Sequence, residues 1–387
     1  MKEERDKNRS RFVPSLCVTH DCNLNCVYCY QKHDSRIRMT LDTAKHCIDW
    51  IFTHVPYGFS DVEIDFIGGE PLLEFDLIKE IIKYACSRTR GYNCIFFATT
   101  NGTLLTSEMK TWFTAHKDCF WLGLSLDGTK ETQDHNRSNS FDLIDFNYFM
   151  KNWPEQGVKM TLSEFSLPRL AENIRFIHSL GFQRIEGVNL FEGNFDWNRD
   201  EYIKILVPQL YELVNFYTEN DTLNVNQMFD KRLDYCGGKE YEKRKYCGIG
   251  TGTNFFDVDG TMYPCAFVTP MTFNDDELKS IRKTDFTDDA SFIDEDCLMN
   301  CYIYPICPNC AGANYLNMKT FKTRDKRKCR IQKLITLFIA DLQARRIKKN
   351  PKIYDDSTLY YTIEAIKKIK DLYYEEFKKF LKMEGCD

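Results

Sequence analysis

Cys22-Asn-Leu-Asn-Cys26-Val-Tyr-Cys29 follows directly on an apolar run, Phe12 to Val18. Three thiols this close together can ligate three corners of a cubane iron–sulfur cluster, and protein-held clusters of this kind ordinarily have a cysteine on every iron. No fourth cysteine follows nearby, so one iron is left open to an external ligand. A metal with an open position does chemistry, whereas a closed one holds structure or passes electrons. The competing reading is a zinc knuckle in which His20 serves as the fourth ligand.

Composition limits the function classes. At 387 residues, 43% hydrophobic and 28% charged, the chain has the make-up of an ordinary globular protein of about two domains. A net charge of −5 gives no global field for nucleic acid. The charged start, Met1 to Arg11, lacks the apolar core of a secretory signal, and no apolar stretch reaches membrane-spanning length. Seventeen cysteines are the anomaly. Without export they are expected to stay reduced in the cytoplasm, which makes metal a better explanation than disulfides. Eight of them fall between Cys236 and Cys329.

From residue 12 to about 191, β-rich runs alternate with segments of helical period. Strands are expected over Phe12–Thr19, Val62–Ile67, Cys94–Thr99, Trp121–Leu126, Val158–Ser163 and Arg184–Leu190. Helices are expected near 41–55, 74–88, 106–116, 141–153, 169–180 and 200–219, the last kinked at Pro208. Leu73, Leu77, Ile78, Ile81 and Ile82 are expected to form one buried stripe. This alternation predicts an α/β fold with a parallel sheet, arranged as a partial (β/α)6 TIM-like barrel over 12–220. In such folds the chemistry sits at the carboxyl ends of the strands, where Cys22, Cys26 and Cys29 fall.

Other strand ends carry Gly68-Gly69-Glu70-Pro71, Asn101-Gly102 and Ser125-Leu126-Asp127-Gly128. Singly these are ordinary turns. As a set behind C-x3-C-x2-C, with Tyr28 before the third cysteine, they resemble the radical S-adenosylmethionine (radical SAM) family. The resemblance implies that the open iron chelates the amino and carboxylate groups of SAM, and that the reduced cluster splits the sulfonium to a 5′-deoxyadenosyl radical. It further implies that Gly68, Gly69, Glu70 and Pro71 line the methionine amino group. Ser125 and Asp127 then face the ribose and carboxylate, with Asn101 in their neighbourhood, and Ser163, Asn189 and Leu190 close over the adenosyl group. His135, Asn136 and Arg137 follow the fourth strand; the arginine either holds a carboxylate or lies in a solvated loop.

A polar connector, 221–246, leads to a second cysteine system over 247–330. Thr253–Val258 and Thr261–Pro264 around Asp259-Gly260 read as a β-hairpin. The spacing Cys247-x17-Cys265, then Cys297-x3-Cys301-x5-Cys307-x2-Cys310 and Cys329, resembles the SPASM extension of radical SAM enzymes that act on peptides. The family's middle block has outer gaps of two and three, here reversed. The resemblance implies two auxiliary 4Fe-4S clusters, held by Cys236, Cys247, Cys265 and Cys310, and by Cys297, Cys301, Cys307 and Cys329. With the SAM-binding cluster this makes three. If Cys236 is not a ligand, the first auxiliary cluster has an open iron. Cys17, Cys47, Cys86, Cys94, Cys119 and Cys386 are given no role.

Residues 331–387 read as two amphipathic helices, with stripes at Ile331, Leu334, Ile335, Phe338, Ile339 and Leu342, and at Ile363, Ile366, Ile369, Leu372 and Tyr373. The resemblance as a whole implies a cytoplasmic peptide maturase that installs a thioether or carbon–carbon crosslink in a ribosomally synthesised precursor peptide. An electron donor such as flavodoxin or ferredoxin, and no nucleic acid or membrane, completes the expected set of partners. The alternatives are an anaerobic sulfatase-maturing enzyme, disfavoured because Ala266 stands where those enzymes carry an aspartate base, and a non-catalytic zinc-binding protein. Eleven residues precede the first strand, which leaves leader binding to the barrel, the C-terminal helices or a partner.

Overall fold

The structure, a computed structural model, describes residues 11–190, 196–241, 245–251 and 253–381. The chain tail before Arg11 and Cys386 lie outside these. In chain order the main elements are β1 (Arg11–Phe12), β2 (Pro14–Thr19), α1 (Leu41–Thr53), β3 (Asp61–Gly68), α2 (Phe75–Cys86), β4 (Asn93–Thr100), α3 (Ser107–Ala115), β5 (Phe120–Leu124), α4 (Lys130–Asn136) and α5 (Phe146–Asn152). They continue with β6 (Val158–Leu162), α6 (Leu170–Ser179), β7 (Ile185–Leu190), α7 (Asp200–Glu219), β8 (Asn254–Phe256), β9 (Met262–Tyr263), α8 (Asp275–Ile281), α9 (Glu295–Asn300), α10 (Ala311–Met318), α11 (Cys329–Lys349) and α12 (Asp356–Leu381). The expected α/β alternation holds, each of the six strands β2 to β7 being followed by helix. No described helix is long and apolar enough to cross a membrane.

Two compact units divide the chain: Met1–Leu126, Gln133–Gln156 and Cys247–Asp288 in the first, Asp127–Thr132, Gly157–Tyr246 and Asp289–Asp387 in the second. The first is built on a sheet in the order β5-β4-β3-β2-β8-β9, with β1 also on β3; every pairing is parallel except β8 with β9. Alternation in β3 sends Val62, Ile64 and Phe66 into the core and leaves Asp61, Glu63 and Asp65 half-buried on the opposite face. Phe66, Phe96 and Phe120, on three neighbouring strands, layer with centroids 6.0–6.3 Å apart. Each such contact contributes about 1 kcal/mol beyond area burial. Helix α1 starts because the Thr40 hydroxyl accepts from Thr43 N, and it buries Ala44, Cys47, Ile48, Ile51 and Phe52 at helical spacing.

Some expectations need correction. A 3-10 turn, Pro71–Glu74, precedes α2 and turns Leu73 outward, so Phe75 rather than Leu73 or Leu77 joins Ile78, Ile81 and Ile82 in the core. The stretch around His135 and Asn136 is the end of a short helix, not a loop.

In the second unit β6 and β7 form a two-stranded parallel sheet, with Thr161 opposite Asn189 and Leu162 opposite Leu190. Helices α7, α11 and α12 pack together. All six residues of the α11 stripe are buried; in α12 Ile366, Ile369 and Tyr373 are, whereas Leu372 is exposed and Phe377 and Phe380 take up the core face.

Candidate metal and SAM site

In the first unit β2 ends at Thr19 and the chain leaves the sheet edge as an irregular loop carrying Cys22, Cys26 and Cys29. The loop is held by its neighbours. Val27 N donates to Asn136 O (3.0 Å), on the last residue of α4, and Asn25 N to the Ser138 hydroxyl (2.9 Å), two residues beyond it. The guanidinium of Arg137, itself buried, stands over the Tyr28 ring at 5.4 Å, and its charge pulls against burial at the Cys29 thiol. Of the two readings of Arg137, the structure favours a placed cation over a solvated loop.

Gly68 and Gly69 run against the start of this loop. A Cβ on Gly69 would lie 2.3 Å from Asp21 O, and one on Gly68 2.6 Å from Thr19 O, so only glycine permits the approach. Glu70 N then donates to Asp21 O at 2.8 Å. The Glu70 side chain is 1% exposed and accepts from Thr100 Oγ1 (2.8 Å), Asn101 N (2.8 Å) and Leu72 N (3.1 Å). Burial outweighs these donors and pushes its carboxyl up to about 7. Pro71 is buried and opens the following turn. Asn101 Nδ2 donates to Asn23 Oδ1 in the cysteine loop (2.9 Å), and Ser125 N to Thr100 O (2.9 Å). Cys22, Cys26, Tyr28, Cys29, Gly68, Gly69, Glu70, Pro71, Asn101 and Ser125 thus share one end of one sheet.

Asp127 and Ser163 belong to the second unit, where both are buried. Asp127 Oδ1 accepts from Thr161 N at 3.0 Å, and Ser163 pairs with the Ser166 hydroxyl. Asn189 and Leu190 end β7; their side chains lie outside the described residues.

Burial raises the Cys22 thiol to about 12, and Glu70, Cys26 and Cys29 add to it, so a metal bound there would have to supply the charge that deprotonates it. Three thiols near enough for Cys26 and Cys29 to act on Cys22 suit three corners of a cubane. Among the described residues the one trio of His, Cys or acidic donor atoms within 4.8 Å of one another is Cys17, His20 and Asp257. His20, the expected fourth zinc ligand, is committed elsewhere: its Nε2 is 2.6 Å from Asp257 Oδ1. Sequence reasoning passed over this pair, as well as Thr100 on Glu70 and His33, whose Nε2 is 3.4 Å from Cys29 Sγ.

Of the expected auxiliary ligands, Cys247 and Cys265 lie in the first unit, around the hairpin β8–β9. Burial, with Cys247 nearby, lifts the Cys265 thiol to about 11. The second unit holds Cys236, Cys297, Cys301, Cys307, Cys310 and Cys329. The last five line one cavity of about 320 Å³ together with Arg324 and Lys326. Lys326 Nζ is 2.7 Å from Cys297 Sγ, a cation set against a sulfur that becomes anionic on metal binding. Cys236 is buried just after a 3-10 turn, Leu233–Tyr235, that packs on the turn leading into Cys307.

Comparison with known proteins agrees with this geometry. Residues 16–145 match the model of the radical SAM superfamily. A cysteine-type anaerobic sulfatase-maturating enzyme of Clostridium novyi is 24% identical over 331 residues, 75% of this chain and 84% of its own. The solved structure of anSMEcpe with bound AdoMet superposes with a TM-score of 0.67 at 15% identity, over 91% of this chain and 98% of that one. The same protein with AdoMet and the Cp18Cys peptide gives 0.64 at 16% identity, over 89% and 99%. Streptococcus suis SuiB bound to its precursor peptide SuiA gives 0.54 at 16% identity, over 84% and 78%. Residues 16–145 therefore form a radical SAM domain, and the chain shares its fold with anSMEcpe and SuiB.

Proposed function

We propose that this chain is a radical SAM peptide maturase that crosslinks a ribosomally synthesised precursor peptide, by a thioether or a carbon–carbon bond. The observation that carries the reading is the Cys22, Cys26 and Cys29 set at the same sheet end as a buried Glu70 carboxylate that acts on Cys22. When bound, the cofactors supply a 5′-deoxyadenosyl radical that takes a hydrogen atom from a peptide residue, and an acceptor for the electron left over when the new bond closes. The residues of the chain orient this chemistry. Glu70 would accept a hydrogen bond from an N–H of the methionine amino group, its carboxylate being buried at the same sheet end as the cysteine loop. Arg137 supplies the matching cation for a carboxylate beside Tyr28. Ser125, Asp127, Asn101, Ser163, Asn189 and Leu190 keep the adenosyl roles assigned by family resemblance.

Cys236, Cys247, Cys265 and Cys310, and Cys297, Cys301, Cys307 and Cys329, would hold two auxiliary 4Fe-4S clusters. The five-cysteine cavity with its adjoining Lys326 supports the second of these sets. The domain scheme of a barrel over 12–220, a connector over 221–246, an auxiliary region over 247–330 and C-terminal helices over 331–387 goes with this reading, as do a flavodoxin or ferredoxin donor and a cytoplasmic site of action. Peptide complexes of anSMEcpe and SuiB favour a peptide partner here.

Sulfatase maturation is the second reading, favoured by the Clostridium novyi relative. Against it, Ala266 offers no proton acceptor after Cys265. Anaerobic incubation of a candidate precursor with SAM and dithionite, followed by mass spectrometry, tests the proposal: the expected product is two hydrogens lighter with 5′-deoxyadenosine released. Formylglycine in a sulfatase peptide would favour the second reading. A colourless protein with zinc in place of roughly twelve irons would exclude both.

A further inference from the structure

The cysteine loop is gripped at both ends by one distant segment. Before the loop, β2 lies parallel to β8, Pro14 opposite Asn254 and Leu16 opposite Phe256. Where β2 gives way to the loop, His20 Nε2 meets Asp257 Oδ1 at 2.6 Å, both residues being buried, at 6% and 3% exposure. The Cys17 thiol is within 4.8 Å of both, and Asp257 Oδ1 also accepts from Val258 N. After the loop, the Tyr30 ring stacks on Phe267 with centroids 4.6 Å apart and planes 27° from parallel. Lys32 N donates to Met271 O at 2.9 Å. Cys22, Cys26 and Cys29 lie between these two grips, and Cys265 lies within the gripping segment, 257–271.

The two grips differ in kind. His20–Asp257 is a desolvated polar pair of the sort that fixes one geometry, since a displaced partner would leave a buried group unsatisfied. Tyr30–Phe267 is half-exposed, with Tyr30 at 42%, and adds little to the core. An aromatic contact that contributes so little burial, placed directly after Cys29 and two residues after Cys265, reads as a positioning device. We propose that segment 257–271 is a clasp that sets the Cys22–Cys29 loop for SAM, so that what is ligated at Cys265 is felt at the SAM-binding corner. Asp257 and Phe267 are its positioning residues; neither touches SAM. The inference rests on the function proposed above, and coupling of this type between two sites amounts to roughly 5- to 150-fold in affinity.

Phe267→Ala, Phe267→Tyr and Cys265→Ala in the full-length, anaerobically reconstituted protein test it. Readouts are iron per chain, the electron paramagnetic resonance spectrum of the reduced protein with and without SAM, and KM and kcat for reductive SAM cleavage by dithionite. Expected for Phe267→Ala are wild-type iron, a KM for SAM raised about ten-fold, kcat within about two-fold of wild type, and an altered SAM-bound spectrum. Phe267→Tyr restores the KM and the spectrum, and Cys265→Ala alters the SAM-bound spectrum in the same sense although Cys22, Cys26 and Cys29 are intact. His20→Gln, which keeps a donor for Asp257, should behave as wild type where His20→Ala does not. Wild-type protein that holds iron but cleaves no SAM overturns the underlying function. Wild-type cleavage with Phe267→Ala indistinguishable in KM and spectrum overturns the clasp alone.

Discussion

Glu70→Gln separates the stability of the site from its function, with opposite signs for the two. The carboxyl is pushed up by burial from an ordinary 4.5 to about 7. A shift of that size corresponds to about 3 kcal/mol. Because the folded value lies above the unfolded one, the metal-free protein has this contribution below about pH 4.5 and loses it as pH rises through 7. Glutamine never ionises, so it escapes that loss. It does place an amide where Asn101 N and Thr100 Oγ1 now donate, a mismatch of about 1–3 kcal/mol. Urea unfolding of metal-free protein should therefore find the variant less stable than wild type at pH 5 and level with it or better at pH 8. SAM binding goes the other way. Losing the bond from the amino N–H to an ionised carboxylate costs about 1.5–3 kcal/mol, or roughly ten- to a hundred-fold in Kd. Wild-type affinity should tighten as pH passes 7, and that of the variant should stay flat. A wild-type-minus-variant stability difference that does not change between pH 5 and 8, or equal SAM affinities, would refute the reasoning.

Other outcomes follow from single contacts. Cys22→Ala, Cys26→Ala and Cys29→Ala should each lose roughly a third of about twelve irons and all 5′-deoxyadenosine formation, read by iron analysis and chromatography. Gly237→Ala puts a Cβ 1.8 Å from Tyr361 O, a backbone atom of α12, and should cost about 3 kcal/mol in chemical denaturation. Lys326→Met removes the cation 2.7 Å from Cys297 Sγ. At about 1.5 kcal/mol for such a bond, the potential of the cluster held there should fall by roughly 60 mV in a spectroelectrochemical titration.

The elements legible in the sequence were those with a strong period or strong chemistry. Six strands were found within two residues at every end because their apolar runs stop at glycine, proline or polar clusters. The start of the first is instructive: Val13 interrupts the ladder, so Arg11–Phe12 pairs separately with β3. Helix α4 was missed because Lys130–Asn136 has no apolar stripe at all. Its place is set by what its end must reach, the backbone of Val27. The hairpin could be read from Asp259-Gly260, but three-residue β8 carries no signal that its partner is β2. The site split the same way. Cys22, Cys26, Cys29 and Glu70 announce themselves by type and spacing, whereas Thr100, His20 and Asp257 matter only through neighbours distant in sequence.

The seam between β2 and β8 has a consequence for how the molecule is made. Asn254 leaves the ribosome some 240 residues after Pro14, a delay on the order of tens of seconds at about 5–20 residues per second. Throughout that interval the Pro14–Ser15–Leu16 flank is an open strand edge, a template for pairing with the wrong chain. Slower growth or a chaperone that shields nascent edges should raise the soluble yield more than any change to the finished surface.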